Sequence, residues 1–101
     1  MVVQGDVFFT KARLIPKGAK RIERLKRGYV IAKGEATGHA HVIEDEIELY
    51  KKDGTLFLRT QREVKVLHEE HLPVTLTKGI WKVGIVREYD PFLEETRRVR
   101  D

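Results

Sequence analysis

The four histidines of the chain lie in two short segments, "GHAHVI" and "LHEEHLP". In a strand, His39 and His41 would project to the same side with about 6–7 Å between their Cα atoms, because side chains alternate along a strand. Two imidazoles at that spacing can reach one metal ion. Ile43 continues the same face, which predicts that this face is buried and that both rings need polar partners.

The second segment supplies further ligand atoms. His68 or His71 offers a third nitrogen, and Glu69 or Glu70 offers an oxygen. Three protein ligands from two segments, with water in the remaining position, are typical of an open catalytic or sensory site for zinc, iron, manganese or nickel. The predicted metal ligands are His39, His41, His68 and His71. We expect these imidazoles to converge, since rings more than about 10 Å apart cannot share such an ion.

The histidines also fit a structural role. Histidines of β proteins often hydrogen-bond a backbone carbonyl or a glutamate, and glutamates are plentiful here. On that interpretation the protein is a non-catalytic binding or assembly module, derived from a phage. There is no cysteine and no serine, and no glycine-rich phosphate loop supports nucleotide chemistry.

A third interpretation starts from the basic segment "PKGAKRIERLKRG" at residues 16–28. Such a patch can contact phosphates, and it equally fits a solvated loop. The phosphate candidates are Lys17, Lys20, Arg21, Arg24, Lys26 and Arg27. With the histidines, Arg87 and Tyr89, they would make a small RNA-binding protein or a metal-independent ribonuclease.

Composition sets the class of protein. The chain has 101 residues, of which 41% are hydrophobic and 36% charged, with a net charge of +4. We expect one soluble domain over residues 1–101, with 91–101 as a loose or frayed helical tail. The start of the chain lacks a secretory signal and no apolar run could span a membrane, so a cytoplasmic location is expected. Abundant Lys, Arg and Glu with one Met suit a thermophile.

Most of the chain has the pattern of short strands separated by turn residues. Eight segments have it: 6–15, 29–34, 39–43, 46–52, 55–61, 63–68, 74–77 and 80–89. Asp53–Gly54 predicts a two-residue hairpin turn, whereas residues 19–27 are expected to form a loop with one helical turn. These patterns predict an all-β fold, a small single-domain β-barrel or sandwich of seven to eight antiparallel strands. They leave open whether it closes within one chain or across a homodimer.

Alternation along these strands also predicts the core. The residues expected to be buried are Val7, Phe9, Ile31, Ile43, Ile47, Leu49, Leu56, Leu58, Val64, Val66, Trp81, Val83 and Ile85.

The stretch "GEATGHAHVIEDE" resembles the first metal motif of the cupins, a superfamily of small β-barrels, in its glycine, His-x-His and following glutamate. The resemblance covers about a fifth of the chain and implies that His39, His41 and Glu46 are ligands, with His68 or His71 the fourth. The second cupin motif is not reproduced around His68 or His71.

A resemblance along the whole chain involves "QGDVFF", "GEATGHAH", "HEEHLP" and "REYDP". In this order they resemble a group of small uncharacterised proteins of prokaryotes and their phages. The resemblance implies that the four segments act as one unit and supplies no mechanism. The sequence is therefore compatible with an enzyme and with a sensor, and it specifies neither a substrate nor a signal.

Overall fold

A computed structural model describes residues 1–34 and 38–86, which form strands and no helix. The all-β prediction is confirmed. The strands are β1 (Val2–Gln4), β2 (Val7–Ala12), β3 (Lys20–Ile22), β4 (Tyr29–Lys33), β5 (Ala40–Ile43), β6 (Glu48–Lys52), β7 (Thr55–Thr60), β8 (Val64–Val66), β9 (Val74–Leu76) and β10 (Gly79–Ile85).

Six strands form one antiparallel sheet in the order β1-β2-β10-β7-β6-β3. The predicted turn joins β6 to β7, where Asp53 and Gly54 both have positive φ, 48° and 79°. Two successive positive φ values match the twist of a tight hairpin, and aspartate followed by glycine tolerates them.

Two further sheets have two strands each, β4-β5 and β8-β9. An antiparallel bridge connects them, since the N–H of Val42 donates to the carbonyl of Leu67 at 2.9 Å and the reverse bond measures 2.8 Å. Within the described residues the three sheets do not join into a closed barrel. The bridge nevertheless places the end of β8 directly beside β5.

Two predictions about local structure are corrected. The segment 19–27 contains β3 rather than a helical turn, because Lys20–Ile22 pairs with residues 49–51 of β6. A strand at Val2–Gln4, absent from the prediction, pairs with β2. The expected tail at 91–101 lies outside the described residues.

One hydrophobic cluster draws on strands of all three sheets and contains most of the predicted core. Leu56 is partly buried and packs against this cluster. Ile85 was predicted to be buried, and this is wrong: it is 51% exposed at the end of β10. Buried residues that the alternation missed include Tyr29, Val42 and Leu76. In the described parts of the chain there is no helix that could cross a membrane.

Candidate functional site

The bridge between β5 and β8 determines where the histidines lie. His41 belongs to β5 and His39 immediately precedes it, whereas His68 follows Leu67 directly. Because Val42 pairs with Leu67, their neighbours in the chain, His41 and His68, lie close together. Each residue of β5 is buried, so this strand has no solvent-facing side.

The predicted convergence of the imidazoles is confirmed by the ring positions. The ring centroid of His68 lies 4.4 Å from that of His41, 4.6 Å from that of His71 and 5.7 Å from that of His39. The rings of His41 and His71 are 6.2 Å apart and nearly parallel. His68 is therefore the centre of a cluster that contains every histidine of the chain, which we call the histidine cluster.

His41 is the buried member, with 4% of its surface exposed, and a single residue fixes its tautomer. The side-chain nitrogen of Gln4 donates to the carbonyls of Val66 and Leu72, at 2.9 and 3.0 Å. The Gln4 oxygen therefore lies 2.8 Å from His41 Nδ1 as an acceptor. His41 Nδ1 must carry a proton, because an amide oxygen only accepts. In the neutral ring, Nε2 then presents a lone pair.

That lone pair faces a carboxylate. Asp6 Oδ1 lies 3.4 Å from His41 Nε2, and the Asp6 side chain is 61% exposed. Burial lowers the pKa of His41 below its ordinary value, and His68 lowers it further, while Asp6 acts in the opposite direction. The charged ring would donate from Nε2 to this carboxylate, whereas the neutral ring and the carboxylate both offer lone pairs at the contact.

His68 has the opposite hydrogen-bond pattern. The backbone N–H of Glu70 donates to His68 Nδ1 at 3.0 Å, so the neutral ring carries its proton on Nε2. His68 Nε2 lies 4.0 Å from Glu69 Oε2, and the His68 side chain is 9% exposed. The structure thus holds two neighbouring imidazoles in different tautomers.

Two histidines of the cluster and a neighbouring glutamate have the spacing of metal ligands. His39, His68 and Glu69 each offer one ligand atom, and these three atoms lie within 4.8 Å of one another. Glu69 Oε2 accepts a hydrogen bond from the N–H of Ala40 at 3.0 Å. That bond, together with the Glu69 N–H, His39 and His68, lowers the pKa of Glu69. His39 Nδ1 also lies 3.6 Å from Glu70 Oε1.

His71 lies against the turn between β1 and β2. Gly5 has a φ of 59°, and a Cβ atom at this position would stand 2.6 Å from His71 Nε2. Glycine therefore serves two needs here, the left-handed backbone and the space for the ring. His71 itself is exposed.

A pocket of about 280 Å³ adjoins the cluster. His68 and Glu69 line it together with Ala40, Val42, Glu44, Leu67 and Arg27. Arg27 belongs to the basic segment, so the fold brings one of the phosphate candidates beside the histidines. The other five, Lys17, Lys20, Arg21, Arg24 and Lys26, are exposed like Arg27.

Two other predicted site residues, Glu46 and Arg21, contact tyrosines. Glu46, the carboxylate suggested by the cupin motif, accepts a hydrogen bond from the Tyr29 hydroxyl at 2.9 Å and does not belong to the spaced group. Arg21 stands over the ring of Tyr50, 5.7 Å from its centre. Arg87 and Tyr89 lie outside the described residues, so the nucleic-acid interpretation stays a prediction.

Sequence reasoning did not assign roles to Gln4, Gly5 and Asp6. These consecutive residues hold His41 Nδ1, make room for His71 and face His41 Nε2. The signal was present in the segment "QGDVFF", which the whole-chain resemblance had grouped with both histidine segments. Their roles depend on contacts more than 30 residues away, so no local pattern reveals them.

The chain belongs to a family described as "Domain of unknown function (DUF8820)", whose model matches residues 3–86. The matched range begins in β1 and ends just after β10, so it contains the whole histidine cluster. The predicted membership of an uncharacterised family is thereby confirmed. No curated protein and no solved structure matches this chain.

Proposed function

We propose that this protein binds a divalent transition-metal ion through His39, His68 and Glu69. The observation that carries the proposal is their mutual spacing, with one ligand atom from each within 4.8 Å of the others. Two imidazoles and one carboxylate are a ligand set used for zinc in hydrolytic sites and for iron in oxygenases. Zinc, iron, manganese and nickel are the candidate ions.

The surroundings of these ligands favour an open site. Three protein ligands leave a coordination position for water or a small molecule. His68 and Glu69 also line the 280 Å³ pocket, so such a molecule has room beside them. This arrangement suits an enzyme or a sensor better than a closed structural ion.

Metal binding by His68 would require a change in the tautomer of its ring. A metal on Nε2 requires the ring proton to move to Nδ1, which then cannot accept from the N–H of Glu70. Glu70 is exposed, so its N–H can turn to water at small cost. We therefore expect the tautomer of His68 to switch on metal binding.

Metal content tests the proposal. Purified protein is stripped with a chelator, loaded with Zn²⁺ and weighed intact by native mass spectrometry. Glu69→Gln should bind one ion fewer than the native chain, because a neutral amide is a much weaker metal ligand than a carboxylate. Glu63→Gln makes the same change at an exposed position outside the cluster and should match the native protein. Native protein that takes up no zinc would contradict the proposal.

A module with structural histidines is the second candidate, and one observation favours it. Among the described residues, every buried side-chain nitrogen and oxygen has a hydrogen-bond partner without any metal. On this interpretation His41 in β5 is hydrogen-bonded to Gln4 in β1, and Gln4 in turn donates to the carbonyl of Val66 in β8. Glu69→Gln and Glu63→Gln would then behave alike towards zinc, whereas loss of His41 would lower stability.

A further inference from the structure

The contact between His41 and Asp6 lies outside the proposed metal-ligand set of His39, His68 and Glu69. It needs an explanation of its own, because two lone-pair acceptors face each other when the His41 ring is neutral. Gln4 places the ring proton of His41 on Nδ1, so the neutral ring directs a lone pair from Nε2 towards Asp6 Oδ1. A carboxylate oxygen also offers lone pairs. Two acceptors 3.4 Å apart repel each other unless a second ring proton or a metal cation lies between them.

The separation of the two atoms has the size that a metal ion requires. Ligand atoms about 2.1 Å from a tetrahedral zinc ion lie about 3.4 Å from each other. The measured distance from His41 Nε2 to Asp6 Oδ1 is 3.4 Å. Most N–H···O hydrogen bonds are shorter, about 2.7–3.2 Å.

The support behind these two atoms also resembles that of a metal site. Metal-ligating histidines usually donate their second ring N–H to an oxygen, which fixes the ring and makes it a better ligand. For His41 that oxygen belongs to Gln4, whose own amide is held by two backbone carbonyls of the β8–β9 region. A buried ring is thus held rigidly while its free nitrogen points at an exposed carboxylate.

We propose that His41 Nε2 and Asp6 Oδ1 form a second divalent-metal site, next to the one at His39, His68 and Glu69. Imidazole with carboxylate selects ions such as Zn²⁺ over Ca²⁺ or Mg²⁺. The exposed ring of His71, 6.2 Å from that of His41, is a candidate third ligand, and water would fill the remaining positions. The inference extends the proposed function from one ion to a pair.

Counting ions separates the two sites, because Asp6 and Glu69 are both exposed carboxylates whose amide variants should fold. By native mass spectrometry with Zn²⁺ alone, we expect two ions in the native chain. Asp6→Asn and Glu69→Gln should each retain one, and the double variant none. Asp45→Asn, an exposed aspartate outside the cluster, is the matched control and should retain two.

The outcomes distinguish failure of the inference from failure of the proposed function. One ion in the native chain that persists in Asp6→Asn overturns the second site and leaves the first. Two ions retained in Asp6→Asn also overturn it. No ion in the native chain overturns both. As a second measurement, zinc addition should move the ¹⁵N resonance of His41 Nε2 much further in native protein, where Nε2 is a ligand, than in Asp6→Asn, where only the neighbouring site at His68 is filled.

Discussion

Gly5 is the residue on which the position of His71 depends. Its φ of 59° suits glycine, and the missing Cβ leaves room for the His71 ring, whose Nε2 would otherwise lie 2.6 Å away. Gly54 offers a comparison, because its φ is 79° and nothing lies within 4 Å of the Cβ position. The two glycines share a backbone requirement and differ in their neighbours.

We therefore expect Gly5→Ala and Gly54→Ala to lose similar stability, about 1–2 kcal/mol each, from the left-handed backbone. The His71 ring can swing away from the new methyl group because it is exposed, so the clash itself should cost little. Only Gly5→Ala should shift the His71 ring resonances. Urea unfolding and NMR spectra of metal-free protein check both points. Unshifted His71 resonances in Gly5→Ala would show that the ring does not pack on this turn.

At the scale of the strand, the ends of β5 and β10 contrast. Ile43 closes β5 with no exposed surface, whereas Ile85 closes β10 and is 51% exposed. Ile43→Ala should cost about 2–5 kcal/mol, since it removes buried methyl groups and leaves a cavity. Ile85→Ala removes the same atoms from the surface and should stay within about 0.5–1 kcal/mol.

Chemical unfolding of both isoleucine variants measures the difference. The two substitutions are chemically identical, so each is the control for the other. Equal losses would mean that Ile85 is covered in solution, by a second copy of the chain or by residues outside the described range.

The strands also show how far the sequence could predict the fold. Alternation correctly marked Val64 and Val66 as buried, because a strand's period of two is a local property. It failed at Ile85, where the strand ends and the buried face ends with it. It missed β3, since Lys20, Arg21 and Ile22 form a strand only by pairing with β6.

The site, like the fold, could be predicted where it depends on a local pattern and could not be predicted where it depends on contacts between distant residues. Parity placed His39 and His41 together, and the histidine count pointed to both segments. The Val42–Leu67 bridge, which brings the segments together, joins residues 25 positions apart and has no local signature. Asp6 is still further from His41 in sequence, and only the folded chain places it opposite His41.

For the whole molecule, the histidine cluster lies where separate parts of the fold meet. Its histidines lie in or next to β5 and in the segment after β8. Gln4 and Asp6, which contact His41, lie in or next to β1 at the edge of the six-stranded sheet. An ion bound there connects these parts in the folded state, and the unfolded chain has no such site. Ligands that bind only the folded state stabilise it by mass action.

We expect Zn²⁺ to raise the free energy of unfolding by about 3 kcal/mol per occupied site at one hundred times the dissociation constant. The gain should be smaller at acidic pH, because a protonated imidazole cannot bind metal. Thermal unfolding with and without Zn²⁺ at pH 7.5 and at pH 5.5 is the measurement. Ca²⁺, which prefers oxygen ligands, serves as the control. An unchanged midpoint with Zn²⁺ at pH 7.5 would rule out specific binding.

The basic segment contains β3, which is an edge strand. β3 is the last strand of the six-stranded sheet, and its outer backbone groups are open to pairing with another chain. Lys20 and Arg21 are exposed there, and Lys20 pairs with Lys51 of β6. A second copy that added its own β3 would bring these cations together, and lysine on an edge strand is a common barrier to such growth. The positive charge at this edge would therefore disfavour pairing of β3 with a second copy of itself.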